Sequence, residues 1–341
     1  MFTGTVSNVN RRSMIKAAAA GLAVITLPKA TSAQDASPES GEWSFTDDKG
    51  VTVTLPSRPE RIVMDVNAAA PLWDFGIKPT ALFGWNVLAD GSLGDAGGNI
   101  DPEGIAVVGD VNQTINIEEL IAIEPDLLVT LTWSPDLPDE YWSLDADADV
   151  ALDQVRAVAP IVAISATGRA DDNTLRFAEL AEALGADIST PELAQAKTDF
   201  EAAIENFGEV AAENTELSVL FFAPVPDNVY IANPIDWADI NMYQELGLNI
   251  ISPDAEAGGF WETISHEQAL KYPSDIIFIS TRSEAFSIDE VKESPTWSKH
   301  PAVAAGQIFP WNQDFVMSYQ GMTQALNDLA EAVSTSEKVT E

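Results

Sequence analysis

Four tryptophans stand where strands are expected to end. Trp85 follows "TALFG", Trp133 follows "LLVTLT", Trp261 follows Gly258-Gly259 and Trp311 follows "QIFP". Rings at the carboxyl ends of strands supply broad, rigid contact area for an organic guest. Arg282 after "DIIFIST" and Arg169 after "AISATG" occupy comparable places. A guanidinium there binds an anionic or carbonyl-rich group, or pairs with neighbouring acids on the surface. Trp43, Trp73 and Trp237 read as structural packing, and Arg58, Arg61, Arg156 and Arg176 as surface or helix-end residues.

Other chemistries lack their residues. The 341-residue chain has no cysteine, which excludes disulfides, thiolate nucleophiles, thiolate metal sites and a lipid-bearing Cys. Its two histidines, His266 and His300, are too few for a His-rich metal site and read as structural. There is no G-x-S-x-G, P-loop or G-x-G-x-x-G signature. Carboxylates are so abundant that no pair stands out as hydrolase machinery, so a binder is expected rather than an enzyme. A carboxylate hydrolase and a surface adhesion role are the rival classes.

The chain carries 54 Asp plus Glu against 17 Lys plus Arg. Such a surface repels nucleic acid and anionic lipid, and keeps the protein soluble. At the start, "RRSMIKAAAAGLAVITLPKATSA", residues 11–33, has two arginines, a short apolar run and a small-residue end. The run is too short for a span of about 20 residues. It reads as a twin-arginine-type export signal over 1–33. The mature protein is then expected in the periplasm or at the cell surface, soluble, monomeric and not lipid-anchored through Cys.

These rings and cations need a frame. Residues 34–42 read as a flexible lead-in. Over 43–170, short strands alternate with short helices, the pattern of a mostly parallel α/β lobe; residues 155–165 are expected as one of its strands. From 171 to 216 the periodicity is helical and rich in Ala, Glu and Leu, with a start signal at Thr190-Pro191-Glu192. Strands return over 217–341. "INIEELIAIEPDLLVT" from Ile115 recurs in kind as "ISHEQALKYPSDIIFI" from Ile264, a shift of 149 positions that sets Glu118 on Glu267 and Asp126 on Asp275. A preceding helix ending at Leu246-Gly247 matches one ending at Phe75-Gly76, and a further strand is expected after it. Two Rossmann-like lobes joined by a long backbone helix follow, with a crevice between them.

In order, "FTDDKGVTVTLPSRPERIV", "DFGIKPTALFGW", "INIEELIAIEPDLLVT", "ISHEQALKYPSDIIFIS" and "SPTWSKHPAVAAGQIFPW" resemble the helical-backbone (class III) substrate-binding proteins of ABC importers. That group captures ferric siderophores, haem or cobalamin. The resemblance runs from Trp43 to about Val333. It implies two lobes on one long helix, a transporter permease and ATPase as partners, only peripheral membrane contact, and docking through acids on both lobes. Asp74, Glu118 and Glu267 are the acids offered for docking. No cofactor is implied beyond an iron(III)-siderophore ligand, with no metal held directly by the protein. The ligand residues are then Trp85, Trp133, Trp261, Arg282, Trp311 and Arg169. So few arginines favour a neutral or cationic hydroxamate-type complex over a triply anionic catecholate. Haem and cobalamin remain the alternatives.

Overall fold

In the computed structural model, residues 41–144, 152–282 and 284–341 are described. The export-signal reading and all of the lead-in except residues 41 and 42 lie outside them. The described chain opens with an antiparallel hairpin, β1 (Trp43–Thr46) and β2 (Thr52–Leu55). At its tip the Asp47 carboxylate accepts from the backbone N–H groups of Lys49, Val51 and Ala163. This turn therefore ties the hairpin to the first lobe.

That lobe contains β3 (Ile62–Asp65), α1 (Val66–Asp74), β4 (Ala81–Phe83), β5 (Ala106–Val107), α2 (Ile117–Ile123), β6 (Leu127–Thr132), α3 (Leu152–Val158) and β7 (Ile161–Ser165). The strand order is β5-β4-β3-β6-β7, parallel throughout. β6 is buried along its whole length, which explains its unbroken apolar run. The strand expected over 155–165 is only its second half. Pro160 ends a helix there, because the residue before proline is driven out of helical geometry.

The expected connector is two helices, α4 (Ala170–Ala183) and α5 (Pro191–Glu213). They part at Gly185, whose φ of 96° suits glycine. α5 has 23 residues, a strut of about 35 Å at 1.5 Å per residue. Thr190 caps its first turn by accepting from the Leu193 N–H. Its buried residues Leu193, Ala196, Phe200, Ala203, Phe207 and Ala211 recur every three or four positions and form one stripe.

The second lobe holds β8 (Val219–Pro224), β9 (Val229–Ala232), α6 (Ala238–Glu245), β10 (Trp261–Ile264), β11 (Ile276–Ser280), α7 (Ile288–Glu293), α8 (Pro301–Ala305), β12 (Ile308–Trp311) and α9 (Tyr319–Ser334). Its order is β10-β9-β8-β11-β12; β8, β11 and β12 pair in parallel, and β9 alone is reversed, pairing antiparallel with both β8 and β10. Two expectations change here. The strand expected after α6 is a single bridge between Ile250 and Val219. The recurring helix is one 3-10 turn, His266–Gln268. Beyond this turn, the Tyr272 hydroxyl donates to Glu262 and its carbonyl accepts from the His300 ring at 3.0 Å.

α9 returns to lie on the strut. Tyr319 packs on Phe200 at 5.6 Å between ring centres and on Phe75 of the first lobe at 5.0 Å. Phe207 meets Tyr243 of α6 at 5.4 Å. The strut thus contacts aromatic residues tied to both halves. Gly98 (φ 50°) lets the segment before α9 pass close, since a β-carbon there would sit 2.7 Å from Val316 Cγ2.

Candidate ligand-binding crevice

Loops of both lobes wall one crevice: those that follow β4, β6 and β11, and the connection between β9 and β10. β6 ends at Thr132, directly before Trp133, and the chain returns at Trp142. Trp142 is pinned through its backbone: its N–H donates to Leu131 O at 2.9 Å, and its carbonyl accepts from Thr130 Oγ1 at 2.7 Å. Between the two rings, the Glu140 carboxylate accepts from the N–H groups of Trp133 and Ser134 and from the Thr132 hydroxyl. Lys49, reaching from the hairpin tip, donates to the carbonyls of Leu137 at 2.5 Å and Glu140 at 3.0 Å. The hairpin thereby braces the aromatic loop.

Next to it, Ser143 adopts φ 64° while fully buried. Its hydroxyl donates to Asp65 at 2.8 Å and accepts from the Trp85 N–H at 3.3 Å. Asp65 also caps α1 by accepting from the Asn67 N–H at 2.9 Å. Burial pushes the Asp65 carboxyl up to about 7, against the lowering pull of those hydrogen bonds. Gly84 is required at this junction. Its φ is 109°, and a β-carbon would collide with the Asp65 carboxylate and the Ser143 hydroxyl.

The opposite wall is built differently. Asp236 accepts from Gly258 N–H at 2.7 Å, Phe260 N–H at 3.0 Å and Asn233 Nδ2 at 2.9 Å. This carboxylate folds the loop so that Phe260 takes φ 54°. The Trp237 indole donates to Phe260 O at 3.1 Å. Trp237 then stands 4.8 Å from Trp261 and 5.4 Å from Trp311 between ring centres. Across the crevice, Trp133 meets Trp237 at 5.5 Å and Phe260 at 5.6 Å. Edge-to-face contacts of this kind contribute roughly 0.5–1.5 kcal/mol each beyond area burial.

Two adjoining chambers result. The aromatic one, about 280 Å³, is walled by Trp133, Trp142, Trp237, Phe260 and Trp261, with Glu140 and Arg282 at its border. The second, about 400 Å³, is more polar, with Trp85, Asn86, Asp95, Thr281 and Asp314 around it. Trp142 and Arg282 line both and form the waist between them. A second cross-lobe tie closes one side of the polar chamber, where Thr281 Oγ1 donates to Asp95 at 2.7 Å.

Arg282 is held in a two-pronged pair with Asp314, at 2.8 Å through Nε and 2.7 Å through Nη2. Burial works against its charge, yet the Asp314 pairing leaves its pKa raised. Its positive charge is matched in place, so it offers hydrogen bonds more than net charge.

The structure gathers Trp85, Trp133, Trp261 and Arg282 at the crevice. Trp311 lies behind the wall, 3% exposed, with its indole donating to Asp239 at 2.8 Å; it supports Trp237 and Trp261. Arg169 is outside both chambers. It clamps Asp171 and Glu245, fastening the start of α4 to α6. Asp74 accepts from Ser318 and Asn99 where α1 meets the segment leading into α9. Glu118 and Glu267 are exposed. Both lie in the first turn before a parallel strand, which places them at the crevice end of their lobes.

Two residues of the wall were missed from sequence. Trp237 read as structural packing, yet at 4% exposure it still lines the chamber. Trp142 stands outside any strand end. The signal for it was its spacing from Trp133: a loop that leaves a strand and returns carries a ring at each end.

Comparison with known proteins places this architecture. Residues 95–315 match the family described as periplasmic binding protein. The chain is 32% identical to DesE, a ferric-siderophore receptor protein from Streptomyces coelicolor, whose crystal structure superposes with a TM-score of 0.80 over 87% of this chain and 100% of that one. Among curated relatives, the iron(3+)-hydroxamate-binding protein YxeB of Bacillus subtilis is 22% identical, covering 83% of this chain and 82% of its own length. The Fe(3+)-citrate-binding protein YfmC of the same organism is 21% identical, covering 81% and 80%.

Proposed function

The chain belongs to the periplasmic binding protein family matched by residues 95–315, and on that premise we propose that it captures a ferric siderophore, preferably of hydroxamate type, between its two lobes and delivers it to an ABC importer. The family is one of solute binders rather than enzymes. The single observation that carries the ligand choice is the chemistry of the crevice wall. Five aromatic rings surround one chamber, and Arg282 is already neutralised by Asp314. A wall of this kind favours a neutral or weakly charged complex of large, partly apolar surface. A triply anionic complex would meet Asp95 and Asp314 with no uncompensated cation among the chamber residues named above. The name of DesE supports a ferric siderophore and that of YxeB a ferric hydroxamate, while YfmC keeps ferric citrate as a competitor to be tested.

Among the described residues, no group of three His, Asp or Glu is arranged to hold a metal ion. No helix among them is long and apolar enough to cross a membrane. Delivery would proceed through a membrane permease and its ATPase, with Glu118 and Glu267 as matched docking acids on the two lobes. Asp74 is the weaker docking candidate, because Ser318 and Asn99 already occupy it.

Titration of tryptophan fluorescence tests the reading. A neutral ferric tris-hydroxamate should quench emission at one-to-one stoichiometry without turnover. Ferric citrate or a ferric tris-catecholate binding more tightly would overturn the hydroxamate preference.

A further inference from the structure

The two walls of the crevice hold their rings by different means. On the second lobe the Trp237 and Trp311 indoles are each fixed by an acceptor of their own, Phe260 O at 3.1 Å and Asp239 at 2.8 Å. On the first lobe the Trp133 and Trp142 indoles have no such partner. Their rings are placed by packing and by the course of the main chain between them. Whatever fixes residues 134–141 therefore fixes this wall.

An ammonium on the hairpin holds that stretch from behind. Lys49 Nζ donates to Leu137 O at 2.5 Å and Glu140 O at 3.0 Å, and lies 4.8 Å from the centre of the Tyr141 ring. Leu137 O also accepts from the Glu140 N–H at 3.3 Å, so Lys49 sits on both ends of one turn. Glu140 passes the constraint on, because its carboxylate accepts from the Trp133 and Ser134 N–H groups. A second cation, Arg156, sits at the exposed edge of the stretch, on Pro138 O at 3.2 Å and Asp139 at 3.0 Å. The hairpin itself stays on the lobe by other ties. Asp47 accepts from the Ala163 N–H, Asp48 accepts from the Ser165 N–H and Arg176, and the Trp43 indole donates to Ala183 O. Leu137 is exposed, so water can replace the donor at its carbonyl. Loss of the ammonium should therefore cost the fold little and the wall much.

We propose that Lys49 is a positioning residue for ligand capture: from a hairpin outside the crevice it fixes the turn at 137–140 and, through Glu140, holds the Trp133 and Trp142 rings in the arrangement that receives the ligand. Lys49 itself lines neither chamber. This rests on the reading of the crevice as a siderophore site, and adds the residue that preorganises one of its walls. Without the ammonium, the stretch samples several courses and its rings must be ordered at each binding event. That ordering lowers affinity while leaving the lobe intact.

Three variants of the full chain decide the matter, each followed by calorimetric titration with a neutral ferric tris-hydroxamate, thermal melting and amide hydrogen exchange. Lys49→Met keeps the aliphatic stem and loses the donors. Lys49→Arg restores donors and charge. Lys78→Met removes the same charge from an exposed site over Trp73. Lys49→Met should bind about tenfold more weakly, melt less than about 5 °C lower, and exchange faster across 134–142 in the unliganded protein. Lys49→Arg should recover affinity to within about threefold of wild type, and Lys78→Met should match wild type. Unchanged affinity in Lys49→Met, an equal loss in Lys49→Arg or an equal loss in Lys78→Met would overturn the inference. So would a melting point lowered by more than about 5 °C in Lys49→Met, which would make Lys49 a part of the fold only. A wild-type chain that binds no ferric chelate removes the siderophore reading. Exchange over 134–142 then decides alone: faster in Lys49→Met upholds the positioning role, and unaltered sinks it.

Discussion

In the first lobe the central strand β3 runs straight into α1, and the buried Asp65 sits at that junction. In the second lobe the corresponding central strand β8 turns back as an antiparallel hairpin before its helix begins. The frames otherwise agree: β6 and β11 flank the central strands in parallel, with β7 and β12 beyond them. The walls do not agree. The first lobe presents a rigid loop stapled by Glu140 and Lys49, and the second a loop wrapped on Asp236. The repeat therefore supplies the scaffold, and the divergent loops make the two crevice walls unlike.

The strut that both halves share should show the largest effect. Phe207→Ala removes a fully buried ring that touches Tyr243 and should destabilise the protein by about 3–5 kcal/mol, read by denaturant unfolding. A loss confined to one lobe, seen as a split transition, would mean that the halves are not braced together.

Stripping a ring from each wall comes next. Trp133→Ala with Trp237→Ala should weaken hydroxamate binding by about 3 kcal/mol, as expected for central aromatic anchors. If one substitution carried the whole loss, only one lobe would recognise the ligand. Smaller is Arg282→Met, which leaves the mostly buried Asp314 unpaired and should cost about 1–3 kcal/mol of stability. Arg282→Met with Asp314→Asn should recover most of it. The charge-matched pair, rather than the arginine alone, would then be the element at the waist.

A subtler difference concerns pH. Burial pushes the carboxyls of Asp65 and Asp239 both up to about 7, one in each lobe, above the ordinary 3.8. In that interval the unfolded chain releases their protons while the folded chain keeps them. Stability from these groups is thus greatest at low pH and falls as pH rises from about 4 to about 7. Asp239 has one oxygen bonded to Trp311 and one unpartnered, whereas Asp65 has two donors. Asp239→Asn should therefore flatten the decline with little other harm, and Asp65→Asn should also disturb the Ser143 corner. Melting temperatures from pH 4 to 8 in 1 M salt, which screens surface repulsion, would show it; identical slopes for wild type and Asp239→Asn would refute the assignment. The smallest effect is expected at the matched surface acids. Glu118→Lys with Glu267→Lys should leave ligand affinity and stability within about 0.5 kcal/mol, while abolishing ligand uptake by cells that depend on the transporter.

Much of the frame was legible because its signals are local. The continuous apolar runs of β6 and β11 read as buried strands, and the stripe of α5 as a long helix with its Thr190-Pro191 start. The antiparallel turn of β9 was not legible, since Val229–Ala232 has the same apolar character in either direction of pairing. Strand-end placement put Trp85, Trp133 and Arg282 at the crevice; Trp261 lines it too, but as the first residue of β10 rather than at the end of a strand. It misplaced Trp311, because the face a ring takes on an edge strand depends on what packs behind it, here Asp239 and Phe221. Arg169 stands at a strand end too, but Asp171 and Glu245 capture it before it can face inward.

Whether both walls close on one iron chelate is answered most directly by diffraction from the protein crystallised with a ferric tris-hydroxamate. The expected result is an iron peak between the lobes, with ligand density touching rings from both walls. Iron found on the outer surface, or density resting on a single lobe, would contradict it.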